Sequence, residues 1–214
     1  MSRFDSTNPL RRVFSFLECA MAIEWPGSLI PREMTWGIVY NNRAFTSSLS
    51  NSQQLVGYPG AYWKCELSFP SLFGADEREL TSMLGRLQGM FGTVKIPAFT
   101  RTRADNIGSP KVAQASAQAT FMQLNGVTAS AKVFSRGDYI TVADEMFEVV
   151  DDATSNASGL VTLNLNKRIR RAIAAGTAVE YRNPYAVMRR ADDTHQISIQ
   201  PIVANANLAF REAF

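Results

Sequence analysis

Groups able to do acid–base, nucleophilic or metal chemistry are sparse in this chain. One histidine, His195, and two cysteines, Cys19 and Cys65, are the only imidazole and thiol groups in 214 residues. Their spacing builds neither a zinc site nor a histidine-centred triad, and no phosphate loop, HExxH, GxSxG or EF-hand pattern occurs. No catalytic, metal or cofactor-binding residue is assigned, and His195 reads as a surface residue beside Asp192 and Asp193. Two charged groupings remain. Asp144, Glu145, Glu148, Asp151 and Asp152 are carboxylates of the kind a hard cation uses, but their spacing matches no calcium loop. A solvated turn and charged strand edge is the better reading. Lys167, Arg168, Arg170 and Arg171 form the one basic run, suited to phosphates or to the acidic face of a protein partner. It lacks the interleaved aromatics of a single-strand-binding surface, so these four stand as candidate partner-binding residues. Arg136-Gly137-Asp138 spells an attachment tripeptide, yet its place just before a strand favours a turn.

The elements that must position these residues are best read outward from Tyr62 to Phe99. In Tyr62 to Phe69 the odd positions Trp63, Cys65, Leu67 and Phe69 are apolar and alternate with Lys64, Glu66 and Ser68, the period of a strand buried on one face. Pro70 removes a ladder donor and is expected to end it. Leu80, Met83, Leu84, Leu87 and Phe91 then recur at three- and four-residue spacing, which predicts a helix over about 76–91 with one apolar face. Asp76, Glu77 and Glu79 lie at its start, where carboxylates suit the positive end of the dipole. Val94 to Pro97 resumes an extended run, giving a helix that covers a sheet.

Composition sets the frame. The chain is 46% apolar and 19% charged with a net charge of +3, an ordinary globular balance that does not by itself call for a nucleic-acid partner. Cys65 lies on the apolar phase of its strand, and both cysteines read as buried free thiols of a reducing compartment. No run approaches the length of a membrane span. Val13 to Ile23, preceded by Arg11 and Arg12, imitates a signal peptide; Glu18 interrupts it and Trp25-Pro26-Gly27 stands where a cleavage site belongs. Residues 1–27 are therefore expected to be an N-terminal arm or helix, docked on its own domain or exchanged with a neighbouring subunit.

Met34 to Val39 reads as a strand, Asn41-Asn42-Arg43 as a turn, Phe45 to Ser52 as a loop, Gln53 to Tyr58 as a further extended piece, and Pro59-Gly60 as a turn. Residues 100–120 are polar and turn-rich, marking a boundary near Gly108. Beyond it, Tyr139 to Val142, Met146 to Val150, Leu160 to Leu165 and Ala178 to Tyr181 are short strands at the spacing of a small barrel or sandwich. A closing strand around Asn207 to Phe210 returns to the first sheet. The expectation is a mostly β, α+β chain. Residues 28–107 with about 191–214 would form an antiparallel domain with one flanking helix, and residues 111–190 a small β-barrel or sandwich.

Several of these segments resemble minor tail proteins of long-tailed bacteriophages. Thr35-Trp36, Phe45-Thr46-Ser47, Tyr58-Pro59-Gly60-Ala61-Tyr62-Trp63 and Leu67-Ser68-Phe69-Pro70 carry the similarity in the first half. Gly137-Asp138-Tyr139-Ile140, Asp151-Asp152-Ala153, Gly159 to Leu163, Arg168 to Ala172 and Ala209 to Ala213 follow in the same order. The resemblance covers about Ile30 to the C-terminus and leaves residues 1–27 outside it. It implies a virion structural protein, a distal-tail-like component in which the first domain forms a ring, a hexamer in that family, and the second projects outward. The implied partners are further copies of the chain, the tail tube protein and tail-tip or hub proteins. DNA would pass through the lumen unbound, with no catalysis, cofactor or membrane insertion. Other virion positions (terminator, collar or decoration protein) are alternatives. So is a carbohydrate- or receptor-binding module, for which Tyr139, Tyr181 and Tyr185 would be the aromatic candidates.

Overall fold

The computed structural model describes residues 22–194, 196–199 and 203–214. Most of residues 1–27, including Cys19, and His195 lie outside them. The described chain is mostly β with a single helix, and its sheets are antiparallel apart from one short pairing. No helix among the described residues is long and apolar enough to cross a membrane.

The first unit contains β1 (Ile23–Glu24), β2 (Glu33–Thr46), β3 (Gln53–Leu72), α1 (Gly74–Leu87) and β4 (Val94–Pro97). The second contains β5 (Gly108–Gln114), β6 (Phe121–Val127), β7 (Lys132–Phe134), β8 (Tyr139–Val142), β9 (Glu145–Glu148), β10 (Ala153–Thr154), β11 (Val161–Asn164) and β12 (Val179–Glu180). The chain then returns to the first unit through β13 (Tyr185–Arg190), β14 (Ser198–Ile199) and β15 (Ala204–Glu212). These strands make a seven-stranded sheet in the order β1-β4-β13-β15-β3-β2, with β14 beside β15. Because β13 is a strand of this sheet, the chain re-enters the first unit by Tyr185, ahead of the expected position near 191.

Period two explains the sheet's inner face. Trp63, Cys65, Leu67 and Phe69 on β3 sit opposite or beside Ala206, Leu208 and Phe210 on β15, and all are buried. Leu80, Met83, Leu84 and Leu87 of α1 join the same core. The helix is shorter than its apolar spacing suggested: Gln88 takes a left-handed backbone (φ 49°), and Gly92 N–H closes on Leu87 O at 2.8 Å. Phe91 consequently falls beyond the helix and is exposed, not part of its buried face. The described end of the N-terminal segment packs on its own sheet: Ile23 pairs with Val94, and Trp25 is buried in the core against Phe69.

Both prolines expected to break β3 instead sit in irregularities of one continuous strand. At Pro70 the pairing with β15 shifts between Ala204↔Leu72 and Ala206↔Phe69, so the missing donor falls in a bulge. At Pro59-Gly60 the pairing with β2 jumps from Val39↔Tyr62 to Asn41↔Tyr58. Gly60 carries φ +110° there, a backbone that a side chain would strain. Asn41-Asn42-Arg43 is accordingly strand and not turn.

The second unit has its own core, built around Phe134, Ile140, Phe147, Met122, Leu124 and Leu163. It comprises two three-stranded sheets, β11-β6-β5 and β12-β8-β9, with the pair β10-β7. Isolated bridges Lys111↔Ala178 and Val149↔Leu165 link the two larger sheets without the continuous ladders of a closed barrel. Strand β5 takes up residues 108–114 of the 100–120 stretch that reads as a polar connector, paired with β6 just beyond it; cross-strand pairing overrides the weak local pattern there.

Candidate functional site

The basic run divides by the strand alternation that precedes it. Val161, Leu163, Leu165, Lys167 and Ile169 are all buried, so Lys167 continues the inward phase of β11, while Arg168 and Arg171 face solvent. On the first unit, Ala204, Ala206, Leu208, Phe210 and Glu212 form an equally regular buried series along β15. The two polar members of these series meet. Lys167 Nζ donates to Glu212 Oε1 at 2.5 Å, with side-chain exposures of 0% and 1%. Arg170 Nη2 donates to Glu212 Oε2 at 2.7 Å and to Ala61 O at 3.1 Å, and the Trp63 N–H reaches the same Oε2 at 3.0 Å. Glu145 Oε1 lies 3.2 Å from Lys167 Nζ.

Lys167 and Arg170 therefore form part of an internal ion cluster between the two units and do not share a surface with Arg168 and Arg171. The four candidate partner-binding residues are thus divided, with Lys167 and Arg170 engaged inside the chain and Arg168 and Arg171 exposed. For Lys167 the physical reason is the alternation itself, a signal present in the sequence and masked by the neighbouring arginines; Arg170, on the opposite phase, is drawn in by Glu212 and the Ala61 carbonyl. Burial draws the Lys167 ammonium below its ordinary pKa, and the adjacent Glu212 and Glu145 carboxylates oppose that shift. Around the cluster the seam is apolar and hydrogen-bonded. Trp63 Nε1 donates to Met146 O at 2.9 Å, and its ring lies 5.4 Å from that of Tyr139. Thr141 Oγ1 donates to Tyr185 O at 2.6 Å.

The acidic residues singled out from the sequence do not converge. Asp144 accepts from the Tyr185 hydroxyl, Glu148 from Asn166, Asp151 from Asn164, and Asp152 pairs with Lys132. Among the described residues no group of three His, Cys, Asp or Glu side chains is placed to hold a metal. Of the aromatic candidates for a sugar platform, Tyr139 and Tyr181 are buried and Tyr185 is half-buried. Arg136-Gly137-Asp138 is a turn, with Asp138 engaged by Arg103.

Among the described residues, Tyr40, Phe45, Leu49, Leu55 and Tyr58 are exposed apolar side chains that gather on one hairpin. Strand β15 accompanies β3 only from Leu72 to Lys64, whereas β2 continues beside β3 from Asn41↔Tyr58 to Thr46↔Gln53. These six further pairs form a two-stranded ribbon that extends roughly 20 Å at strand rise. Its tip is a serine turn: Ser47 Oγ accepts from the Leu49 and Ser50 N–H groups, and Ser47 N–H closes on Ser52 O at 2.9 Å. Leu49 at the apex is 97% exposed. Phe45 (55% exposed) projects from one face of the ribbon and Leu55 (71%) from the other, since they belong to successive cross-strand pairs. Arg43 is the sole charged residue from Tyr40 to Gly60. Tyr40 anchors the base by donating to Asn166 O of the second unit at 3.2 Å. Gln53 to Tyr58 reads as extended from sequence, but reading Asn41-Asn42-Arg43 as a turn and Phe45 to Ser52 as a loop hid the partner strand, because its conformation depends on pairing.

No protein-family model matches the sequence, and no curated protein is significantly similar to it.

Proposed function

We propose that this protein is a structural component of a long-tailed bacteriophage virion, a distal-tail-like ring adaptor between tail tube and tail tip, which self-associates through the hairpin spanning 41–58. The hairpin is the observation that carries the reading. A lone two-stranded ribbon is marginal in water. One that also exposes Phe45, Leu49 and Leu55 with a single charge is a surface suited to burial against protein. It lacks the edge charges by which isolated strands avoid pairing. A hairpin contacting a different surface of the next copy makes a heterologous contact, and such contacts close into a ring when the rotation permits. The tail context rests on the sequence resemblance. In this reading the tail tube and hub proteins cap the two ring faces, DNA passes through the lumen unbound, and the exposed Arg168 and Arg171 are the basic residues left to meet an acidic partner. The protein acts by shape and charge complementarity, without catalysis.

The test is the mass in solution by light scattering after gel filtration, with negative-stain images of the same peak. The intact chain is expected to form closed rings, alone or on addition of purified tube and hub proteins. The double variant Phe45→Ser/Leu55→Ser is expected to remain a folded monomer by far-UV circular dichroism. Rings formed equally by the variant would refute the hairpin's role, and a chain monomeric under all these conditions would refute the adaptor.

A further inference from the structure

The ion cluster at the seam lies outside that assembly reading and points to a property of the fold itself. The two units have distinct core clusters, the first of which also takes in Tyr139 and Met146 of the outer unit, and they are joined covalently by two connectors, one between β4 and β5 and the other between β12 and β13. The connectors run together, with Arg103 N–H donating to Arg182 O and Ala98 N–H to Pro184 O, both at 2.9 Å. A joint of this width permits rotation, so the pose of the outer unit must be set by the seam. Apolar contacts such as the Tyr139 ring against Trp63 tolerate sliding, because burial is non-directional, and the neutral hydrogen bond from Trp63 Nε1 to Met146 O resists it at one point. Charges do not, since a displaced pose leaves a buried ion without its partner.

The charges are distributed unequally across this seam. The outer unit contributes Lys167, Arg170 and Glu145, and the first unit contributes one carboxylate, Glu212, which receives Lys167, Arg170 and the Trp63 N–H together. A small rotation would separate both cations from their shared acceptor. The cluster is also incompletely satisfied. Glu145 Oε1 and Arg170 Nε are buried without a hydrogen-bond partner, and the Arg170 Nε to Glu145 Oε1 separation is 3.6 Å. A closed pose with unmet polar atoms gains less from its charges than an ideal cluster would, and solvent would satisfy those atoms on opening.

We propose that the Lys167–Glu212–Arg170–Glu145 cluster is an orientation lock, which selects one pose of the outer unit on the sheet and whose release at Glu212 lets that unit swing while both cores stay folded. The cluster acts chiefly on pose, because buried ion pairs contribute little net stability relative to apolar replacements.

The lock is read by the distance between spin labels on the two units. Ser82→Cys on α1 and Thr162→Cys on β11 are exposed attachment points. They are used in the full chain with Cys19 and Cys65 replaced by Ser and Ala. The parent is expected to give one narrow distance distribution, and Glu212→Gln a broadened or shifted one with far-UV and near-UV circular dichroism retained. Should Glu212→Gln fail to fold, the double variant Lys167→Met/Glu212→Met decides, since it removes the Lys167–Glu212 pair and the acceptor of Arg170, keeps apolar volume, and leaves Arg170 only Glu145, 3.6 Å away on its own unit. A distribution as narrow as the parent's and at the same distance, in whichever variant folds, would overturn the proposal.

Discussion

Raising the pH from 8 to 10 should unload stability through one identifiable atom, the Cys65 sulfur. Cys65 is fully buried on the inner face of β3, opposite Phe210 and Trp36. Burial, reinforced by the nearby Glu66 carboxylate, pushes its thiol far above the ordinary value of 9.0. The folded chain thus keeps the thiol proton across a range in which the unfolded chain releases it. The sign follows: the contribution is fully present below the unfolded pKa and is lost as pH rises above it, because the native state binds more protons. For an unfolded thiol at 9.0 and a native thiol that does not ionise, the loss between about pH 8 and about pH 10 is about 1.4 kcal/mol. Other groups titrate nearby, among them Tyr185, whose hydroxyl is raised by burial and by its hydrogen bond to Asp144. Comparison with Cys65→Ala removes them. The assay is urea unfolding of both chains at matched pH, and the observable is the difference in unfolding free energy between parent and variant. That difference should move against the parent by the stated amount with no change in m-value. A difference constant over the range would refute the reasoning, either because the thiol ionises in place or because solvent reaches it.

Two further perturbations probe the core and the seam. Leu84→Ala removes a buried side chain from the face of α1 that covers the sheet and should cost about 2–5 kcal/mol, the spread depending on how far the helix settles, read by denaturant midpoint. Trp63→Phe keeps an aromatic ring between Trp36 and Tyr139 but removes the donor to Met146 O, leaving that carbonyl unmet at a cost of about 1–3 kcal/mol; a neutral result in thermal unfolding would show that water or a shifted neighbour replaces the indole.

Local periodicity accounts for what could be read in advance. The alternation from Trp63 to Phe69 and the helical stripe Leu80, Met83, Leu84 and Leu87 both describe faces that turn out buried, because apolar side chains at those spacings can only be removed from water together. The mostly β architecture with one helix follows from the same patterns. Alternation also marked Lys167 and Glu212 as inward residues, although charge suggested the opposite. What pairs them is tertiary: they lie 45 residues apart, and only the insertion of β15 between β13 and β3 brings Glu212 to the outer unit. The hairpin is decided the same way. Asn41-Asn42-Arg43 and Pro59-Gly60 carry local turn preferences, yet each strand supplies the other with hydrogen-bond partners, and a bulge at Gly60 absorbs the misfit. Residue types along the chain thus determined which faces are apolar. Which strands meet, and therefore which charges are enclosed and which arm is left bare, depended on long-range pairing that no local window contains.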